Sequence, residues 1–201
     1  MNTPNILTTF RVAVIPFLVI LLSFEWPEPY AYAAALVIFV VSVISDIADG
    51  RIARERGLVT DFGKFMDPLA DKMLVCSVLV CFTWMDLLPA WLVIIVVTRE
   101  FAISGLRAIA AEKNKVIAAN VWGKLKSQFQ YNAIITVLVI LISGYTMTWE
   151  GFYFDVTGDI AFFQWFFMIY SNLIIWLMVI STVLSLFTYL RDNWYIVSEE
   201  M

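Results

Sequence analysis

Two pairs of aspartates are the residues in this chain best spaced for chemistry. Asp46 and Asp49 are three residues apart and Asp67 and Asp71 four apart, so each pair shares one face of a helix. Two such faces packed together would make a pocket of four carboxylates. These could not all stay ionised at low dielectric without a cation, and their oxygen donors suit a hard divalent ion such as Mg²⁺, Mn²⁺ or Ca²⁺. The alternative is that the acids pair with Arg51, Arg54, Arg56, Lys64 and Lys72 at a membrane surface. Histidine is absent, so proton transfer or metal ligation falls to other side chains, carboxylates first. Gly50, Ala53 and Gly63, in the same segment, let a ligand or a neighbouring backbone approach closely, or let helices pack.

The elements that must position these groups read as membrane helices. Of 201 residues, 62% are apolar and 15% charged, too little charge for the surface of a soluble domain. Apolar stretches run over residues 5–24, 30–56, 65–85, 90–112, 121–143 and 160–190, separated by Pro, Gly and charged turns. The expected fold is an all-α integral membrane protein of six transmembrane helices, a single catalytic domain over residues 1–201 with no room for a separate soluble one. The last stretch is longer than a bilayer core is thick, so part of it, around Ser171 and Asn172, is expected at the interface. The first stretch begins without a basic cluster and ends in a Pro- and Glu-containing loop, which favours a retained helix over a cleaved signal peptide. Cys76 and Cys81, five apart in one apolar run, read as packing residues. Trp26, Trp84, Trp91, Trp149 and Trp194 read as interfacial anchors.

All thirteen Lys and Arg residues fall at the N-terminus, between the second and third spans, in the region of the fourth and fifth, or at the C-terminus. The remaining loops carry acids only. The positive-inside rule then makes both termini cytoplasmic and the number of crossings even. Counting about 1.5 Å per residue from the outer ends, Asp46 lies roughly 24 Å deep, Asp71 roughly 20 Å, Arg99 roughly 17 Å and Lys126 roughly 26 Å. The charges converge on one layer in the cytoplasmic half of the bilayer, where ionisable groups are costly and by default functional.

Asp46, Asp49, Gly50, Ala53, Arg54, Gly63, Asp67 and Asp71 spell DxxDGxxARx8GxxxDxxxD, which resembles without departure the signature of the CDP-alcohol phosphatidyltransferase family. The resemblance implies a six-helix membrane enzyme, usually a homodimer, with its active site open to the cytoplasm, set in the cytoplasmic membrane of a cell. It implies that Asp46, Asp49, Asp67 and Asp71 bind two divalent ions, Mg²⁺ or Mn²⁺, and that Asp71 is also the general base. Asp49, Gly50, Ala53, Arg54 and Gly63 would hold the CDP-lipid.

The stretch from Pro4 to Thr8 with Arg11, Thr98 to Glu100 through Ser104, Leu106 and Arg107, and Gly123 to Ser127 with Gln128 are similar to one branch of that family, whose acceptor is glycerol 3-phosphate. In keeping with this, Arg99, Arg107, Lys124 and Lys126 offer a cationic pocket beside the aspartates, suited to an acceptor that carries its own phosphate. Arg99 followed by Glu100 also reads as a structural pair inside the bundle. Lys113 and Lys115 more simply touch lipid headgroups or define topology. The implied reaction moves the phosphatidyl group of CDP-diacylglycerol to glycerol 3-phosphate, among membrane lipids and with no nucleic-acid partner. Alternatives are a sibling transferase using inositol phosphate, phosphatidylglycerol, serine or choline, or a small transporter, which would spread its acids along a pathway.

Overall fold

The computed structural model describes residues 3–24, 30–56, 61–112, 121–143 and 161–194. They form six helices: α1 Thr3–Ser23, α2 Tyr30–Arg56, α3 Asp61–Trp84, α4 Ala90–Glu112, α5 Val121–Ile142 and α6 Ala161–Asp192. Among the described residues there is no strand. The all-α expectation therefore stands, with one difference in the elements. Helix α3 starts at Asp61, ahead of its apolar stretch, and an acid in the first turn suits the positive end of the helix dipole. Helix α6 runs unbroken through Ser171 and Asn172 for 32 residues, and Ser171 is buried.

The outward faces of these helices are apolar. Phe17 on α1, Val37 on α2, Val80 on α3, Ile94 and Phe101 on α4, Val121 on α5 and Phe187 on α6 are all exposed, more greasy surface than water tolerates on a monomer. Trp84, Trp91 and Trp194, near helix ends, are exposed as well. By length and composition, two described helices are apolar enough to cross a membrane, 121–142 and 165–192, while 9–23 and 30–46 are shorter apolar helices. Helix α4, described in full, carries Arg99, Glu100 and Arg107 within its apolar stretch.

The chain falls into two compact units, residues 1–88 with 134–155 and residues 89–133 with 156–201. In the first, α1 packs against both α2 and α3 more extensively than those two pack on each other. Its buried stripe of Arg11, Val14, Ile15, Leu18 and Leu22 recurs every three or four residues. The facing stripe of α2, Ala31, Ala35, Phe39 and Ser42, is mostly small, which lets the backbones approach. Ala70, Leu74, Val78 and Phe82 form the buried stripe of α3.

The end of α3 is fixed by backbone geometry. Asp86 adopts φ 57°, Leu87 donates its N–H to the Phe82 carbonyl at 2.9 Å and Asp86 donates to Thr83 at 3.1 Å. These two bonds make a Schellman cap, with Leu87 and Phe82 buried as its apolar contact. In the second unit α4 packs on α6.

Candidate functional site

In the first unit, Arg11 of α1 is 2% exposed, and its Nη1 lies 2.7 Å from Oδ1 of Asp46 on α2. The aspartate side chain is 36% exposed. One end of this ion pair is thus buried and the other is partly exposed, so Asp46 is held from behind by a fixed cation. A guanidinium is well suited to this, being always charged and rigid in its donor geometry. Asp46 continues the buried stripe of α2 by one turn beyond Ser42, which donates to its own Ile38 carbonyl at 2.8 Å. Asp71 is half-buried on α3, next to the fully buried Ala70.

The backbones of Asp49, Gly50, Ala53 and Arg54 belong to α2, and those of Gly63 and Asp67 to α3. Their side chains lie outside the described residues, so their expected convergence is not on view. Among the described residues no group of three or more ligating side chains stands together; of the four aspartates, these include only Asp46 and Asp71. The donor set itself fits a divalent ion. It is all oxygen, and the backbones of all four aspartates lie within helix α2 or α3. Pro68, between Asp67 and Asp71, supplies no N–H to the carbonyl one turn before it, which adds an acceptor to the same stretch.

In the second unit the four expected basic residues separate into two kinds. Arg99 and Lys126 are buried, and both meet Glu100, itself 5% exposed. Arg99 Nη1 donates to Glu100 Oε1 at 3.3 Å, and Lys126 Nζ from α5 donates to the same oxygen. Arg99 Nη2 donates to Ser185 Oγ of α6 at 2.5 Å. Gly123 closes this corner, since a Cβ there would stand 3.6 Å from Arg99 Nη2 and 3.9 Å from Ser185 Oγ. Three helices therefore converge on one guanidinium. Arg107 and Lys124 are exposed. Arg107 Nε donates to the Tyr189 hydroxyl at 3.2 Å, and the guanidinium carbon lies 5.7 Å from that ring's centre, a cation–π arrangement. Lys124 is on α5 two residues before Lys126 and so turned away from it.

Arg99 pairs with its neighbour Glu100, as one sequence reading expected, and shares that carboxylate with Lys126. Two buried donor atoms, Arg99 Nε and Gln130 Nε2, have no hydrogen-bond partner among the described residues. Gln130 follows Lys126 by one helical turn and is equally buried. Buried polar groups are nearly always satisfied, so donors of this kind call for a ligand or water. Sequence reasoning missed the Arg11–Asp46 pair, the bridge from Glu100 to Lys126, and the parts played by Ser185 and Tyr189. A signal for the last two was present. Hydroxyls recur at 181, 182, 185, 188 and 189 in an otherwise apolar helix.

Comparison with known proteins points the same way. The family model for CDP-alcohol phosphatidyltransferase matches residues 1–187. A protein of Bacillus subtilis (strain 168) named CDP-diacylglycerol–glycerol-3-phosphate 3-phosphatidyltransferase is 37% identical, covering 96% of this chain and 95% of the relative. A protein of the same name from Rickettsia bellii (strain RML369-C) is 33% identical over 94% of both. A probable phosphatidylglycerophosphate synthase of Mycobacterium tuberculosis (strain ATCC 25618 / H37Rv) is 38% identical over 71% of this chain and 68% of its own length.

Proposed function

The chain belongs to the CDP-alcohol phosphatidyltransferase family, and from that premise we propose that it transfers the phosphatidyl group of CDP-diacylglycerol to glycerol 3-phosphate, giving phosphatidylglycerophosphate and CMP. The relatives named for this reaction support the reading over nearly the whole chain. The observation that carries the acceptor is the meeting of two buried cations, Arg99 and Lys126, on the single carboxylate of Glu100. These three groups together keep a positive charge, which suits an acceptor bringing its own phosphate and gains nothing from a neutral alcohol.

In the mechanism, Asp46, Asp49, Asp67 and Asp71 would hold two divalent ions, Mg²⁺ or Mn²⁺, which would supply positive charge against the diphosphate of the nucleotide lipid and the departing CMP. Arg11 orients Asp46 and offsets part of the negative charge of the set. Gly50, Ala53, Arg54 and Gly63 line the CDP-lipid site. Arg99, Arg107, Lys124 and Lys126 draw in the acceptor phosphate. Asp71 removes the proton from the acceptor hydroxyl as its oxygen bonds to the lipid-linked phosphorus, and the bond from that phosphorus to CMP breaks. The balance closes without a covalent enzyme intermediate.

Purified protein given CDP-diacylglycerol should release CMP far faster with glycerol 3-phosphate than with glycerol, serine or inositol, because a site with buried donors rejects acceptors that leave them unpaired. EDTA should stop the reaction. Equal rates across the acceptors would overturn the assignment of glycerol 3-phosphate, and full turnover in EDTA would overturn the two-metal reading.

We further propose that all six helices span the cytoplasmic membrane, with both termini and the active site cytoplasmic, that the whole chain is one catalytic domain, and that it works as a homodimer. The apolar outward faces of all six helices support the spans. So does the direction of α4 and α6. Arg99 meets Ser185 and Arg107 meets Tyr189, so the two helices run parallel, as second neighbours in an up-and-down bundle must. With Cys76 and Cys81 replaced by alanine, single cysteines at positions 113 and 155 should be labelled by an impermeant thiol reagent from opposite sides of the membrane. Labelling from one side alone excludes six crossings.

A further inference from the structure

Helix α6 carries no Asp, Glu, Lys or Arg from Ala161 until Arg191, only hydroxyl and amide side chains among its apolar ones. Its last turns nonetheless reach both arginines of α4. Ser185 is 1% and Tyr189 3% exposed; they lie four apart and so on one face. Arg99 and Arg107 are eight apart on α4, about 12 Å along the axis, while their partners on α6 are about 6 Å apart. One face of α6 thus holds both guanidinium groups of α4 by hydroxyls. The bond from Arg99 Nη2 to Ser185 and that from Nη1 to Glu100 fix the plane of the first guanidinium. Its Nε is the donor without a partner among the described residues.

We infer that Ser185 and Tyr189 are positioning residues for the acceptor, holding Arg99 and Arg107 at the spacing and orientation that receive its phosphate. The inference rests on the reading of those arginines as the acceptor site. It adds that specificity for a phosphorylated acceptor depends on a helix that carries no charge at that level. A guanidinium held by two fixed acceptors keeps its remaining donor aimed, whereas one released from Ser185 must be reordered by the substrate at each turnover, a cost that falls on acceptor binding.

The test is steady-state kinetics of the full chain in detergent with Ser185→Ala, Ser185→Thr and Tyr189→Phe. Ser185→Ala should raise KM for glycerol 3-phosphate about tenfold, the scale of one hydrogen bond to a charged group, with kcat and KM for CDP-diacylglycerol within about twofold of the parent. Ser185→Thr, which keeps the hydroxyl, should recover most of the loss. Tyr189→Phe keeps the ring under Arg107 and should raise the same KM by a smaller factor. Unchanged KM in both Ser185→Ala and Tyr189→Phe, or equal change for both substrates, overturns the inference. Arg99→Lys separates its failure from that of the parent reading. If that variant leaves KM for glycerol 3-phosphate unchanged, the acceptor site is elsewhere; if it raises KM while Ser185→Ala does not, only the positioning role falls.

Discussion

Asp71→Asn should lower turnover by at least about 10²-fold, the scale of a lost general base, while the protein remains folded in detergent. Asparagine has nearly the same shape, and the site is half-buried beside Ala70 rather than within the core stripe, so the change removes a proton acceptor and little packing. The loss should appear in kcat, with KM for glycerol 3-phosphate close to the parent. Asp46→Asn provides the contrast, because it also strips a charge from the partner of buried Arg11 and should weaken apparent metal and CDP-lipid affinity too. Near-normal turnover in Asp71→Asn would mean that another group takes the proton.

The second large effect is on stability. Glu100→Gln should destabilise the protein by about 3–5 kcal/mol, the usual cost of removing one member of a buried ionic cluster and leaving its partners uncompensated. Arg99 and Lys126 would then face each other around a neutral amide, both buried. That is a large share of the roughly 5–15 kcal/mol that holds a typical fold together, and it should show as a much lower Tm in detergent. Adding Lys126→Met to Glu100→Gln should restore a good part of the loss, since one buried charge then disappears with its partner. Additive effects of the two changes would show that the groups do not interact, and a parental Tm in Glu100→Gln would show that the cluster is not structural.

Much of the fold was legible in the sequence because hydropathy marks helix limits well where apolar and polar stretches alternate. The limits of α2 and α4 fall where Pro, Gly and charge changes put them. The start of α3 was read four residues late, since hydropathy reports only the apolar part of a helix and the first turn carries Asp61, Gly63 and Lys64 around a single Phe62. The expectation that part of the last stretch lies at the membrane interface rested on its length, and the helix runs on through Ser171 and Asn172. For the site, spacing along the chain nominated the aspartates and basic residues, and family membership sets the transporter alternative aside. Pairings across the fold were out of reach. Lys126 and Glu100 are 26 residues apart, Arg107 and Tyr189 82, and Arg99 and Ser185 86; periodicity shows which face of a helix is buried and not which helix it meets.

The packing of α1 against both α2 and α3 bears on how the chain is made. On the six-span reading, α3 has only about twelve uncharged residues, Met73 to Trp84, roughly 18 Å against a hydrocarbon core of about 30 Å. Each Asp or Lys near its centre opposes entry into lipid by about 2.5–3.5 kcal/mol. Such a segment gains little by leaving the insertion machinery alone. Helix α1 precedes both in the chain and brings Arg11, so on that reading Asp46 of α2 would meet a cation already in the bilayer. The order of synthesis would then also be an order of charge compensation.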